Sequence, residues 1–503
     1  MLLIEVSCSS DSSKKIDQLA EQTLKEWEIP GLALAVVHKG KEVRVAGYGV
    51  KERGGFDKVN ADTLFQICSL TKAFTGVTVG MLVEEGKLKL EQPIRSYLPK
   101  FQLKDPVATE QMTLRDLLSQ HTGLPGLPQG ESLFWWNTGR TTEDLIHRLA
   151  YVEPAFPFRS HFTYNNMSYV ISSQIVATAA GMPWHQFCKE RVFEPLGMRR
   201  TNTSYESLTH DSNVALPHLL PHILEKPIVW GNWESLVAAA GINSCASDMA
   251  LWLKYCLSNS VALQVTQRPQ VLFEVEGFLE KVYIPMWSIL AHGQPIANYG
   301  LGWMIYTLDN KTVFFHTGLS AGMQSILAVI PEDELGIAIL TNEMGHPGAA
   351  CLLNLLIDHL LGREEVDWNQ KAHTVIADID QTVKLETVAL ENSRLKNVPP
   401  TLNKEGYMGE YVHPAYGSIV IGMENEMLTI EFLFNHEKGK LEHWQENQFK
   451  ITDAPSMAPF LPWLMAFQLS QDQHKVINLT MPYLGVFEYV GNSASPSQAS
   501  DSF

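Results

Sequence analysis

Between residues 65 and 72 the chain has the sequence FQICSLTK, in which Ser69 and Lys72 are three positions apart. A helix is predicted from about Ser69 to Glu85, with Gly86 as the residue that ends it. Residues three apart share a helix face, so Lys72 Nζ is expected to reach the hydroxyl of Ser69. A lysine in a desolvated site can activate such a hydroxyl as a nucleophile. The alternative interpretation is a helix cap followed by a solvated lysine.

Two later segments carry further candidates for chemistry. Tyr164-Asn165-Asn166 is one, and a buried tyrosine of this kind is more commonly a core residue with one hydrogen bond. The other is His316-Thr317-Gly318, which ends an apparent strand and is followed by Leu319. A lone histidine before a turn is more commonly structural. Each segment alone is therefore weak evidence for a catalytic site. The inference rests on the three segments taken together, in this order along the chain.

Further landmarks occur in the same order along the chain. Together with the three segments above, they resemble the serine β-lactamase and penicillin-binding-protein superfamily. The resemblance is strongest to its class C β-lactamase-like branch of esterases and D-aminopeptidases, and it covers roughly residues 12 to 362. The additional landmarks are Ile29-Pro30-Gly31-Leu32, Leu114-Arg115-Asp116-Leu117-Leu118-Ser119, Thr122-Gly123-Leu124-Pro125, Gly241-Ile242-Asn243-Ser244 and Tyr299-Gly300-Leu301-Gly302-Trp303.

The resemblance implies a role for each candidate side chain. Ser69 would be the acylated nucleophile, and Lys72 would hold or accept its proton. Tyr164 would share the general-base role and later protonate the leaving group. Asn166 would hydrogen-bond Lys72 and the carbonyl region of the substrate. The backbone N–H groups of Ser69 and Leu319 would form the oxyanion hole.

The resemblance also implies a departure on the strand that carries substrate-binding residues. His316, followed by Thr317 and Gly318, stands where β-lactamases usually carry a lysine. A histidine is largely neutral at pH 7, so it gives no fixed charge for a substrate carboxylate. The sequence also has no counterpart of the deacylating glutamate of class A enzymes. These features favour an esterase, amidase or peptidase, with weak β-lactamase activity at most.

The order of predicted elements is strands, then many helices, then strands again, which indicates an α+β fold. The resemblance specifies a β-lactamase/transpeptidase-like antiparallel sheet flanked by helices, with an all-helical subdomain. After a polar stretch, apolar and polar residues alternate in short runs that are typical of strands. These strands predict a small β-barrel-like domain. The predicted domains are a serine hydrolase domain at 12–363, a linker or bridging helix at 364–401, a C-terminal β domain at 402–490 and a disordered tail at 491–503.

Composition narrows the classes of partner. The net charge is −17, which argues against nucleic acid as a main partner. No apolar run approaches the roughly 18 residues of a membrane span, and no metal-ligand spacing or phosphate-binding loop is present. We therefore expect neither a metal nor a cofactor. The start of the chain lacks a clear signal peptide, which favours the cytoplasm, although a truncated N-terminus would allow secretion.

The sequence predicts a serine hydrolase that acts through an acyl-enzyme on a small ester, amide or peptide. Two alternatives stay open. One is a catalytically silent scaffold or binding protein with the same fold, and the other is an acyltransferase that uses the same site. The natural substrate and the role of the C-terminal domain are not readable from the sequence, and a homo-oligomer is compatible with it.

Overall fold

The computed structural model describes residues 2–126, 129–274, 278–453 and 464–491. The chain divides into two compact units. The first comprises the residues up to Pro99, Met112–His121 and Asn166–Asp380. The second comprises Lys100–Gln111, Thr122–Asn165 and the residues from Gln381 onward.

The strands are numbered along the chain through both units. In chain order they are β1 Gly31–His38, β2 Lys41–Gly49, β3 Phe65–Gln66, β4 His218–Leu219, β5 Asn243–Ser244, β6 Val271–Leu272, β7 Asn298–Tyr299, β8 Met304–Leu308, β9 Lys311–Ser320, β10 Met323–Ile330, β11 Leu335–Thr341, β12 Glu343–Met344, β13 Gly409–His413, β14 Gly417–Glu424, β15 Met427–Phe432, β16 Glu437–Gln445, β17 Gln448–Thr452, β18 Leu464–Leu469, β19 Val476–Met481 and β20 Gly485–Gly491.

The α-helices are numbered in the same way. They are α1 Leu2–Glu26, α2 Thr71–Glu84, α3 Pro106–Gln111, α4 Leu114–Leu118, α5 Glu131–Trp135, α6 Thr142–Arg148, α7 Met167–Ala180, α8 Trp184–Cys188, α9 Glu194–Leu196, α10 Tyr205–His210, α11 Val237–Ala240, α12 Ala246–Cys256, α13 Val261–Thr266, α14 Phe278–Leu290, α15 Gly348–Leu361 and α16 Trp368–Ser393.

The first unit is built around an antiparallel sheet of eight strands in the order β2-β1-β11-β10-β9-β8-β7-β6. Its early and late strands meet in one sheet, with most of the helices between them in sequence, so the predicted α+β fold is confirmed. Strand β11 is buried along its whole length. Because successive side chains of a strand point to opposite faces, this burial means that both faces of the sheet are covered there. Helices α12 and α15 both pack on β11.

Helix α2 is more deeply buried than its sequence predicts. It is preceded by a 3-10 turn, Cys68–Leu70, and followed by Gly86 in the left-handed conformation with φ 70°. The sequence predicts one apolar face, but the helix packs against α7, α11 and α13. Burial therefore extends around the helix and includes polar residues. Among them is the charged residue Lys72, which is completely buried.

The sequence also predicts helix N-caps at Thr113, before Leu114–Ser119, and at Ser247, before Asp248–Cys256, and their outcomes differ. Thr113 caps α4 in a capping box with Asp116, as predicted, because the two residues exchange hydrogen bonds between side chain and backbone. The predicted cap at Ser247 is wrong: α12 begins at Ala246, and the extended residue before it is Cys245. The N–H of Ser247 instead donates to the carbonyl of Ala61 at 3.0 Å.

The second unit contains a closed barrel of eight antiparallel strands, β13 to β20, each paired with its neighbour in sequence. The predicted β-barrel-like domain is therefore confirmed. Alternate residues of these strands point inward, as the burial of Leu428, Ile430 and Phe432 along β15 illustrates. Aromatic rings fill much of the interior, including Tyr407, Tyr411, Phe449 and Phe467. The domain boundaries stay a prediction, and the predicted tail at 491–503 lies outside the described residues after Gly491.

The segment Thr122–Asn165 belongs to the same unit as the barrel, and Arg140 is a main contact within it. Its side chain is only 9% exposed. Nη1 donates to the carbonyl of Phe134 at 3.0 Å, and Nη2 donates to the carbonyl of Tyr416. The guanidinium also lies 5.8 Å from the centre of the Phe434 ring. This unit is thus formed by segments that are far apart in sequence.

Replacing Arg140 by alanine is expected to lower the free energy of unfolding of the second unit by about 2–4 kcal/mol, because it leaves two carbonyls without their donor. Urea unfolding followed by tryptophan fluorescence measures this change. Lys438→Ala is the matched control, because its exposed ion pair with Glu431 should contribute below about 1 kcal/mol. Equal unfolding midpoints for the two variants would contradict the role given to Arg140.

Candidate active site

The site is built at the turn that joins β3 to α2. The N–H of Ile67 donates to the carbonyl of Ile242 at 3.0 Å, and the N–H of Ile242 donates to Thr71 Oγ1 at 3.2 Å. These bonds fix both ends of the turn. Cys68 within it has φ 52°, a left-handed conformation that costs a non-glycine residue roughly 1 kcal/mol. Ser69, the next residue, is half-buried at the start of the helix.

Lys72 is held by three oxygen acceptors and is completely buried. Its Nζ lies 3.0 Å from Ser69 Oγ, 2.7 Å from Asn166 Oδ1 and 3.0 Å from the carbonyl oxygen of Ala239. An ammonium group has three N–H donors, and these three oxygens match them in number. The amine is therefore fixed within proton-transfer distance of the serine hydroxyl.

An aromatic ring also contacts the lysine head group. Lys72 Nζ lies 5.4 Å from the centre of the Tyr169 ring, within the range of a cation–π interaction. The hydroxyl of Tyr169 donates to the carbonyl of Leu118 at 2.8 Å, which fixes the ring. Tyr169 thus supports a positive charge on Lys72 in a place that water does not reach.

His316 on β9 is a neutral residue of this site. It is 1% exposed. Burial, and secondly the charge of Lys72, lower the pKa of the imidazole to about 3. Its Nδ1 lies 2.6 Å from the carbonyl oxygen of Thr317, and its Nε2 lies 3.2 Å from the hydroxyl of Tyr299. The side chain therefore supplies no positive charge at pH 7.

This low pKa predicts a pH dependence of stability. The unfolded histidine binds a proton below about pH 6.5 while the folded one does not, so the folded state loses stability as the pH falls from 6.5 towards 3. Between pH 7 and pH 5 the wild-type chain is expected to lose about 2 kcal/mol more than His316→Gln. Urea unfolding at the two pH values measures this difference. Parallel losses in both chains would show that His316 is protonated in the folded state.

Strand β9 passes directly beside the turn that carries Ser69. A Cβ atom on Gly318 would lie 2.3 Å from the carbonyl oxygen of Ile67 and 2.3 Å from Ser325 Oγ. Ser325 Oγ in turn donates to the Ile67 carbonyl at 2.8 Å. Only a residue without a side chain fits at this close approach. The glycine thus brings the strand next to the backbone of the turn.

The end of β9 extends beyond its neighbour on one side. In the described part of the chain, β8 pairs with β9 only as far as Phe315, opposite Met304. Residues 316–320 continue on β10 alone, up to the pair of Ser320 with Met323. The side chain of Leu319 in this stretch is 56% exposed. In the described residues, this part of β9 therefore has no strand partner on one side.

The thiol next to Ser69 is a poor nucleophile. Cys68 is completely buried, and burial raises the pKa of its thiol to about 12. Its Sγ lies 3.3 Å from the carbonyl oxygen of Gln66. The thiol therefore stays protonated at neutral pH, and the hydroxyl of Ser69 is the available nucleophile in this turn.

The structure brings together only part of the predicted set in the first unit. Ser69, Lys72 and Asn166 are in mutual contact through the lysine, while His316, Thr317, Gly318 and Leu319 lie on β9. Tyr164 is half-buried and belongs to the second unit, so its role stays a prediction.

Sequence reasoning missed two groups of the site. Ala239 acts through its backbone carbonyl, which no side-chain pattern reveals. Tyr299 was part of a landmark, but its hydroxyl was given no role. Its position directly before the glycine-rich segment that leads into β8 was the sequence feature that could have indicated a role.

Among the described residues, no helix is both long enough and apolar enough to cross a membrane. Within the same residues, no three His, Cys, Asp or Glu side chains are grouped so that they could hold a metal ion.

Comparison with known families identifies the class of this protein. The Beta-lactamase family profile matches residues 16–361, and a domain of unknown function, DUF3471, matches residues 393–492. The first match covers more than half of the chain. This chain therefore belongs to the β-lactamase family of serine hydrolases, with an additional C-terminal domain.

Individual proteins extend this result. Unguisins hydrolase ungD of Aspergillus violaceofuscus is 27% identical over 439 residues, which are 80% of this chain and 75% of that protein. The octameric penicillin-binding protein homologue from Pyrococcus abyssi has a TM-score of 0.57 at 20% identity and covers 94% of this chain and 99% of its own. A class C β-lactamase from Rhodobacter sphaeroides has a TM-score of 0.55 at 22% identity, covering 69% of this chain and 99% of its own. These two likenesses show the β-lactamase/transpeptidase fold.

Proposed function

We propose that this chain hydrolyses a small ester, amide or peptide through an acyl-enzyme on Ser69. The observation that carries the proposal is the completely buried Lys72, whose Nζ lies 3.0 Å from Ser69 Oγ and 2.7 Å from Asn166 Oδ1. Burying a lysine is costly for a fold unless its amine is hydrogen-bonded, and here one of its three acceptors is a serine hydroxyl. The placement of Lys72 on a serine at the start of a helix is suited to activating that serine.

In the proposed reaction, either Lys72 is a neutral amine or Tyr164 is a phenolate when substrate binds. Ser69 Oγ attacks the carbonyl carbon of the substrate, and its proton passes to whichever of these two groups is deprotonated. The oxygen that becomes negative accepts hydrogen bonds from the N–H groups of Ser69 and Leu319. Tyr164 then protonates the leaving alcohol or amine as its bond to the carbonyl carbon breaks. Water finally attacks the acyl group on Ser69, and the serine regains its proton.

The neutral His316 bears on the choice of substrate. β-Lactam antibiotics carry a carboxylate, and a neutral imidazole gives it no ionic partner on β9. Esters, amides and peptides that have no carboxylate near His316 need no positive charge on β9. The histidine in place of lysine is therefore not expected to weaken their binding. Any β-lactamase activity is therefore proposed to be weak.

The name of one relative supports the hydrolytic part of the proposal. The Aspergillus protein is called an unguisins hydrolase, and it matches 80% of this chain. We extend only hydrolysis to the present chain.

Domain organisation and assembly complete the proposal. We propose a hydrolase domain at 12–363, a bridging segment at 364–401 and an accessory domain at 402–490. The Pyrococcus homologue is described as octameric, and we propose that this chain also associates with copies of itself. Light scattering of the full chain tests the association, and a mass of 56.4 kDa at micromolar concentration would contradict it.

The test of the proposed reaction is hydrolysis of p-nitrophenyl esters, D-amino-acid anilides and nitrocefin by the full chain. We expect turnover of an ester or an anilide that Ser69→Ala abolishes and that Ser207→Ala, at an exposed serine, leaves unchanged. Product analysis with an added alcohol or amine separates hydrolysis from acyl transfer. A chain that turns over no substrate and forms no adduct would instead be a silent scaffold.

A further inference from the structure

The hydroxyl of Tyr299 contacts the His316 ring at Nε2, while the other ring nitrogen, Nδ1, contacts the backbone of β9. Tyr299 lies on β7 and is completely buried. Its hydroxyl is 3.2 Å from His316 Nε2 and 3.4 Å from the hydroxyl of Tyr169. Burial raises its pKa well above the usual value, so it stays a phenol and keeps its proton.

Two hydrogen-bond contacts of the His316 ring indicate which nitrogen carries the proton. Nδ1 lies 2.6 Å from the carbonyl oxygen of Thr317, and a carbonyl oxygen can only accept a hydrogen bond. Nδ1 therefore carries the proton. In a neutral imidazole Nε2 is then an acceptor, and Tyr299 donates to it.

From this geometry we propose that Tyr299 is a positioning residue, which holds His316 in its Nδ1–H form and through it the Thr317 peptide beside Ser69. The strand has no β8 partner beyond Phe315 in the described residues, so the ring contact replaces a strand contact there. The next residue, Gly318, lies against the Ile67 carbonyl, two residues before Ser69. A shift of the Thr317 peptide would therefore move Gly318 relative to the turn that carries Ser69. The inference rests on the proposed function, because it concerns the same site.

Replacing Tyr299 by phenylalanine keeps the ring and removes the donor. His316 Nε2 then loses the phenol donor, so the ring is no longer held from that side, although the Thr317 carbonyl still favours the Nδ1–H form. We expect kcat/KM for a p-nitrophenyl ester to fall at least about tenfold, with kcat rather than KM carrying the loss, because a displaced strand affects the transition state more than substrate binding.

Tyr306→Phe is the matched control. Tyr306 is equally buried on β8 and packs edge-on against Phe315, and its hydroxyl has no hydrogen-bond partner in the described part of the chain. The Tyr306→Phe variant is expected to have a kcat/KM within about twofold of wild type.

The direct readout is the tautomer of His316 in the full chain, measured by long-range ¹H–¹⁵N correlation on protein labelled with ¹⁵N-histidine. The His316 signal is assigned by its loss in His316→Gln. We expect the Nδ1–H form in wild type and a changed signal in Tyr299→Phe.

Two results would overturn the inference. One is the Nε2–H form in wild type, which needs no Tyr299 variant and so stands even if that variant fails to fold. The other is Tyr299→Phe with the signal and the rate of wild type. Failure of the wild-type chain to acylate Ser69 would count against the proposed function, while the tautomer measurement would still decide the position of His316.

Discussion

Replacing Lys72 by methionine is expected to reduce the rate of acylation of Ser69 by about 10³- to 10⁴-fold, because it removes a group within proton-transfer distance of the hydroxyl. Methionine has a similar length and no charge, so the buried space stays filled. The oxygens of Asn166 and Ala239 lose the donor that Lys72 gives them, but no buried charge is left unpaired. The second-order rate constant for a fluorophosphonate probe measures the effect.

Lys87→Met is the control for this experiment. Lys87 is 52% exposed and pairs with Glu85 at the surface, so its variant should react at the wild-type rate. Thermal unfolding shows whether each variant is folded. A folded Lys72→Met chain that reacts within tenfold of wild type would exclude the lysine as the partner of Ser69.

Replacing Gly318 by alanine is expected to reduce kcat/KM by about 10²-fold or more, because a small displacement of a reacting group is enough for such a loss. The added Cβ would lie 2.3 Å from the carbonyl oxygen of Ile67. That carbonyl belongs to the turn that places Ser69, so the clash moves the nucleophile or the strand beside it. The conformation of Gly318 is one that alanine adopts, since its φ is not positive, and the effect is steric.

Gly422→Ala provides the comparison for a glycine in a strand without such a contact. Gly422 lies on β14, its φ is not positive, and the nearest atom to an added Cβ is Thr429 Oγ1 at 3.2 Å, the end of a side chain. Its kcat/KM is expected to stay near wild type. If Gly318→Ala kept full activity, β9 would not form a wall of the site.

Much of the fold was predictable because local patterns and global fold agree in the first unit. The strands β1 and β2 follow a Pro-Gly break and a Lys-Gly-Lys turn, which are local signals. The helix that carries Lys72 follows from its apolar spacing and from Gly86 at its end. The meeting of early and late strands in one sheet was predicted from the order of elements, which is strands, then helices, then strands, and from the family resemblance.

The depth of Lys72 was not predictable from the spacing of residues. An amphipathic pattern assigns polar side chains to the solvent face, but α2 is enclosed by three other helices, so its polar face is also inside. A contact through a backbone carbonyl, as at Ala239, depends on tertiary packing alone. The position of Ser69 opposite Lys72 was predictable, since it needs only one turn of helix.

The composition of the second unit was also hidden from the sequence. Arg140 precedes the barrel by hundreds of residues, yet its guanidinium donates to the Tyr416 carbonyl. A single sequence has no signal for such a pairing, because neither residue type nor spacing distinguishes this arginine from a solvated one. The alternation along β15, in contrast, is local and predicted the strand correctly.

The most direct measurement of the central claim is the mass of the full chain after reaction with a fluorophosphonate, followed by peptide mapping of the modified residue. We predict one adduct per chain, on Ser69, and none on Ser69→Ala. An adduct on another residue, or equal labelling of Ser69→Ala, would contradict the assignment of Ser69 and Lys72 as the reactive pair.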